Sequence, residues 1–518
     1  MLPSMKYFLE FIGLYETFNA HGFKKKNGAS FRLNQSQPDA YTDFLAVGGP
    51  QGHAWNVIRS EADELLFQHA KVSGAQTFDA TKVEAICFEA DNGFTTSGKE
   101  KQSPDPGRPT SATWTRTDGT SGVIKFDYLI DASGRNGLLC TKYLKNRKFN
   151  QNLKNIAHWG YWKYGGTYGM GTHKEGCPHF EALEDASGWC WFIPLHDCTH
   201  SVGIVQNQQM AITKKRKMES DCTDGSLSTR EFYLRSTDLA PKIKQLLSAA
   251  ELVTDIKSAS DWSYSASTYA FPHARIVGDA GCFIDPFFSS GVHLATLGGL
   301  SAAVTIAASY RGDCDELTAA SWHTKKTTES YTRFFLVVSS ALKQIRSQEE
   351  PVIQDVDEEG FQRAFDLFRP VIQGTTDADA SGKLSRSDIS KTIEFCFKAF
   401  THIAPEQKEA LARKLKALGL DVVAEEATAK KMIEDIEKNL TSDEAQVLRV
   451  LRSRRMIRED NFNIDSFTLD SIDGLAPNLE RGKLGLIKAE KTVPDRSQTY
   501  STRISIGAEQ ADSLDLLI

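Results

Sequence analysis

Apolar residues at Leu2, Met5, Phe8, Leu9 and Ile12 recur at helical spacing, so the chain is expected to open partway into a folded unit with an amphipathic helix. The stretch from Ser60 to Ala70 predicts another helix, with Leu65, Leu66 and Ala70 on one side and charges on the other. Ser, Pro, Gly and Thr dominate from Ser97 to Ser121, which reads as a hairpin excursion. The β-branched run Gly122 to Ile130 then predicts a strand entering Asp131-Ala-Ser-Gly134. Between 145 and 257 aromatic and polar residues alternate, as in WGYWKYGG and GWCWFIPL, the period of an antiparallel sheet. A hydrophilic loop is expected from Thr213 to Arg230. Residues 258 to 310 return to α/β character: a strand at Arg275 to Val277, a turn, then a helix of small residues after Gly291. Beyond about 345 the pattern is mainly helical, with a capping box at Thr441-Ser-Asp-Glu444 and a polar tail at the end.

Composition narrows the class without naming it. With 518 residues, 40% of them apolar, the chain can bury a sizeable core in two to four domains. A net charge of −6 argues against nucleic acid or an anionic membrane as the main partner. Lys214-Lys-Arg-Lys217 reads as solvated surface. Nine cysteines without a Cys-x-x-Cys pair are expected to be reduced thiols in the cytoplasm. The most apolar stretch, Val292 to Ala308, is interrupted by Gly298, Gly299 and Ser301, which favours a buried helix over a membrane span.

The chemistry concentrates in Gly278-Asp-Ala-Gly-Cys-Phe-Ile-Asp-Pro-Phe-Phe-Ser-Ser-Gly291. A strand running into a Gly-Asp turn, a Pro loop and a small-residue helix suits flavin binding. Asp279 can accept hydrogen bonds from ribityl hydroxyls, while Ser290, Gly291 and Val292 open a helix whose free N–H groups favour an anion, either the reduced flavin edge or a halide. Asp131 ends a second strand with the same kind of turn. Arg59 is read either as a pyrophosphate contact or as a surface partner of Asp63 one helical turn away. Residues 377–388 imitate a calcium loop but carry Asp at position twelve. His196 and His200 lack a second ligand pair at zinc spacing, so a strand-end turn is expected there and no metal.

Two signatures then carry a resemblance. Trp189-Cys190-Trp191-Phe192-Ile193-Pro194 gives Trp-x-Trp-x-Ile-Pro, and Phe283, Pro286, Ser289 and Gly291 give Phe-x-x-Pro-x-x-Ser-x-Gly. Over nearly its whole length the chain resembles flavin-dependent halogenases, specifically the fungal branch acting on phenolic natural products in secondary metabolism. The resemblance implies an α/β fold of the FAD-dependent monooxygenase/halogenase type. Its Rossmann-like FAD domain would be split between 1–144 and 258–345, with an antiparallel-sheet substrate domain at 145–257. A helical region at 346–490 and a tail at 491–518 would follow.

The activity it implies needs FADH2 from a separate flavin reductase, O2, and chloride or bromide. A flavin hydroperoxide would oxidise the halide to hypohalous acid, which a lysine would pass to an aromatic small molecule. That lysine matches Lys26 within Lys24-Lys25-Lys26, the bland reading of which is a solvated loop. Trp189 and Trp191 would keep the substrate off the flavin, and Pro286 and Val292 join Arg59, Asp131 and Asp279 as expected cofactor contacts. Tryptophan-specific relatives carry a glutamate where this chain has Phe288, which points to a phenol activated by its own oxygen. No Gly-x-Gly-x-x-Gly is present, so the first βαβ unit of the FAD domain is expected to be missing. A flavin-dependent aromatic hydroxylase and a relative unable to hold FAD are the alternatives.

Overall fold

The computed structural model describes residues 1–36, 38–89, 106–150, 153–221, 226–260, 263–348, 371–373 and 471–489. The expectations at 377–388 and 441–444, and most of the helical region after 345, lie outside them.

An eight-stranded sheet dominates. Its strands run, edge to edge, Glu251–Leu252, Asn155–Lys163, His200–Asn207, Gly188–Pro194, His179–Ala182, Gly28–Arg32 and Ala40–Asp43, and Lys257–Ser260 also pairs with Asn155–Lys163. Neighbours are antiparallel except for His179–Ala182, which runs parallel to Gly28–Arg32. Two of the strands thus come from residues 28–43, far from the aromatic stretch in sequence. Alternation sets the two faces. Trp189 packs into the main core with Phe31, Phe44, Phe180, Phe287 and Phe288. Cys190 and Phe192 point the other way, into a second core with Trp162, Ile204 and Tyr233.

Behind the first face, Leu129–Asp131 pairs in parallel with Ala274–Ile276, and Ala270–Phe271 adds an antiparallel edge. The Asp131 and Asp279 turns therefore leave the same end of one small sheet. Helices Gly291–Arg311 and Glu316–Arg346 pack on each other, the second capped by Asp315, whose carboxylate accepts from Thr318 N–H at 2.8 Å. By length and composition Gly291–Arg311 would suffice to cross a membrane, despite its glycines. Here it lies on its partner helix with His293, Leu294, Leu297 and Val304 buried.

The N-terminal helix forms at Met5–Ile12 with Met5, Phe8 and Leu9 buried, and the second predicted helix spans Arg59–Val72. Three readings need correction. The expected loop from Thr213 begins inside helix Gln208–Ser220, capped by Asn207, and the Lys214–Lys217 run sits on it. Lys214 pairs with Asp185 rather than standing free. The expected hairpin excursion is present where described: Arg108–Arg116 pairs antiparallel with both Thr81–Glu89 and Ser121–Lys125. Gly122 to Ile130 is consequently two strands, Ser121–Lys125 and Leu129–Asp131, which belong to different sheets.

Candidate active site

Lys24–Lys26 is a strand, not a solvated loop: it pairs antiparallel with Ala54–Asn56, placing Lys26 opposite Ala54. Lys24 and Lys25 are exposed, whereas Lys26 turns inward and is only 3% exposed. Its Nζ donates to the Met1 carbonyl oxygen at 3.3 Å and stands 5.4 Å from the centre of the Phe44 ring. Burial pulls the amine down to about 8, only partly offset by the Cys177 thiol. A lysine with few polar partners and a reachable neutral form is a candidate nucleophile.

Phe44 leads from Lys26 into the aromatic core. Phe31 stacks on Phe180 at 4.9 Å and meets Phe288 at 5.1 Å. Trp189 meets Phe287 edge-to-face at 5.0 Å and stands 5.7 Å from Trp191 along the same strand. The Trp191 indole N–H donates to Ser201 Oγ at 3.1 Å. Gly203 lies opposite Trp191, and a Cβ there would fall 2.3 Å from the indole ring. Position 203 must be glycine for the ring to lie where it does, a requirement set by register that no local motif reveals.

Asp285 is another residue that sequence reasoning passed over. It is fully buried, caps the short turn Pro286–Phe288 by accepting from Phe287 N–H at 3.2 Å, and accepts from Asn155 Nδ2 at 2.8 Å. Burial pushes its carboxyl up to about 6, with those donors and the Arg346 charge pulling it back. One oxygen holds the Phe287 backbone and the other holds Asn155, and the neighbouring Phe288 is 1% exposed.

The expected cofactor residues divide into two groups. Asp279 sits in the turn Gly278–Ala280, and burial raises its carboxyl to about 6 against the pull of Arg59, Arg135 and Arg147. Arg147 fixes this turn by donating to the Ala280 carbonyl at 3.1 Å while stacking 4.0 Å over Tyr264, whose hydroxyl donates to the Asp279 carbonyl at 2.7 Å. Ser290 precedes the first turn of helix Gly291–Arg311; its Oγ is buried without a hydrogen-bond partner. A Cβ on Gly291 would meet nothing within 4 Å, so the helix N-terminus opens onto free space. Val292 packs in one cluster with Trp55 and Met1, and Pro286 starts the turn below it.

Asp131 and Arg59 are already engaged. Asp131 accepts from Ser133 N–H at 2.9 Å and Leu139 N–H at 2.7 Å, so both oxygens hold its own loop. Arg59 pairs through two hydrogen bonds of 3.1 Å with exposed Asp63, and bears on Asp279 through its charge alone. A desolvated carboxylate, an orphaned buried hydroxyl and an open helix N-terminus fit the isoalloxazine and ribityl end of a flavin. His196 lies in the tight turn between Gly188–Pro194 and His200–Asn207, as expected, with Leu195 N–H donating to the Thr199 carbonyl at 2.9 Å.

A carboxylate-bearing turn at a parallel strand end, an anion-ready helix and a wall of indoles beside them define a flavin-dependent oxidoreductase. Comparison with known proteins agrees. The family profile described as Tryptophan halogenase matches residues 47–356. The chain is 50% identical over 493 residues to the flavin-dependent halogenase ascD of Acremonium egyptiacum, covering 95% of this chain and 85% of that one. It is also 50% identical to the sulochrin halogenase gedL of Aspergillus terreus, over 95% and 86%. Among solved structures, the flavin-dependent halogenase CmlS superposes with a TM-score of 0.57 at 25% identity, over 80% of this chain and 71% of that one. The chain belongs to the tryptophan halogenase family of flavin-dependent halogenases: it is an oxidoreductase that uses FAD.

Proposed function

We propose that this enzyme halogenates an electron-rich phenol with chloride or bromide, and that Lys26 delivers the halogen. The carrying observation is the contrast within three consecutive lysines: only Lys26 is buried, and burial draws its amine down to about 8. Bound as FADH2 from a separate reductase, and with O2, the cofactor supplies the two-electron oxidation of halide to hypohalous acid. Asp279 would accept from the ribityl hydroxyls, and the amides following Ser290 would hold the halide. Trp189 and Trp191 exclude an organic molecule from that side, so the oxidant has to move to reach one.

The neutral Lys26 amine can take the halogen from hypohalous acid, releasing water, or hold the acid intact by a hydrogen bond. Transfer to an aromatic carbon then regenerates the amine, while the carbon loses its proton. Phe288 and the committed Asp285 leave no free carboxylate at that turn to act as a base for an unactivated ring, which supports a phenol whose own oxygen activates it. A relative named as a sulochrin halogenase is consistent with this class of small aromatic substrate.

The test supplies reduced FAD, O2 and halide with a panel of phenols and indoles. Lys26→Ala should abolish halogenated product while flavin oxidation and release of hypohalous acid continue. Near wild-type product from that variant, or halogenation of indoles alone, would overturn the assignment.

A further inference from the structure

We propose a divalent-metal site formed by His21, Glu61 and His196, three residues that come from separate segments. His21 follows the short helix Tyr15–Ala20, Glu61 lies in the first turn of helix Arg59–Val72, and His196 sits in the turn after Gly188–Pro194. One ligand atom from each lies within 4.8 Å of the other two. His21 Nε2 is 2.7 Å and His196 Nε2 is 3.2 Å from the same carboxylate oxygen.

Ligand atoms about 2.0–2.1 Å from a tetrahedral zinc ion stand roughly 3.3 Å apart. The His196–Glu61 separation of 3.2 Å already matches that spacing. His21 would have to retreat by roughly half an ångström from its present 2.7 Å. With its side chain 29% exposed, it can do so by rotation. Two imidazoles and one carboxylate form the donor set that suits borderline zinc and leaves a fourth position for water. His196 Nδ1 is buried without a hydrogen-bond partner, and Nε2 is the nitrogen that faces Glu61. Phe23 closes the cluster from one side, 4.3 Å from the His21 ring and 5.3 Å from the His196 ring.

Placement gives the site a purpose. His21 leads into the strand bearing Lys26, Glu61 shares its helical turn with Arg59, and His196 leaves the strand bearing Trp189 and Trp191. An ion here would tie the segment leading into Lys26 and the strand bearing Trp189 and Trp191 to one helix.

Cobalt(II), titrated into the full chain after treatment with chelator, reads the geometry directly. The expected result is stoichiometric visible absorption of a four-coordinate ion, displaced by Zn2+, with an upward shift of the melting midpoint. The double variant His21→Gln/His196→Gln should lose the absorption and bind at least about tenfold more weakly. Its circular dichroism should be unchanged, because both rings are partly exposed. Absence of the absorption in the wild type, or its persistence in the double variant, would overturn the site and leave a simple His–Glu–His hydrogen-bond cluster. Equal binding by Glu61→Gln would remove the carboxylate from the ligand set and with it this proposal.

Discussion

The Lys26 ammonium stands 5.4 Å from the centre of the Phe44 ring, and among the described residues its polar contact is the Met1 carbonyl oxygen. A ring face attracts a cation but does not replace water, so the charged form of the lysine is held at a cost.

That cost predicts a stability gain from losing the functional group. In the unfolded chain the amine titrates near 10.5, and in the fold at about 8. Between those values the unfolded state binds more protons, so the lysine's contribution to stability rises with pH and is lost as pH falls through 8. Lys26→Met should therefore stabilise the protein at pH 7 by up to about 3 kcal/mol, shrinking toward zero near pH 10.5, while abolishing halogen transfer. Melting curves at pH 7 and 10 decide it: an equal or negative effect at both would mean that the amine is solvated.

Asp279 runs the other way. Its folded carboxyl is raised to about 6 from an ordinary value near 3.8, so its contribution is fully present below about pH 4 and lost as pH rises through 6. In the FAD-free protein, Asp279→Asn should raise the melting midpoint at pH 7 and leave it unchanged at pH 4, while weakening FAD binding. A midpoint difference that stays flat across this range would show that the carboxylate is well hydrated.

Gly291 separates folding from binding. Its Cβ would enter open space, and a side chain in the first helical turn should fold without clash. Gly291→Val is expected to melt within about 1 kcal/mol of wild type, yet to raise the halide requirement and weaken FAD binding together. Unchanged halide dependence in a folded variant would place the anion elsewhere.

How far the sequence foretold this site depends on the range of the interaction. The Gly-Asp turn and the tryptophan strand were legible because each is one contiguous segment whose period or turn chemistry fixes its shape. Helix Gln208–Ser220 was hidden by its own polarity: it buries little beyond Ala211, so Thr213 onward reads as a loop. Lys26 was found by resemblance, but only strand pairing distinguishes its buried side chain from two exposed neighbours. Asp285 with Asn155, and His21 with Glu61 and His196, are contacts between residues 40 to 135 positions apart that no local pattern encodes. Arg59 shows the reverse: the local pairing with Asp63 is what the side chain adopts.

Gly203 offers the sharpest test of how the indole wall is built. Its absent side chain makes room for Trp191, since a Cβ would stand 2.3 Å from that ring and 2.6 Å from Trp159 Cβ. Trp191 cannot rotate freely away while its N–H bonds Ser201 Oγ and its ring stands 6.5 Å from that of Trp159. Gly203→Ala should therefore destabilise by about 1–3 kcal/mol through overpacking and lower halogenation along with it. Adding Trp191→Leu should restore part of the stability, because the new methyl then meets a smaller side chain, but it should not restore activity. The double-mutant cycle measures this coupling in denaturant melts. Strictly additive effects would show that Gly203 and Trp191 do not constrain one another, and that the wall takes its position from the Phe287 side instead.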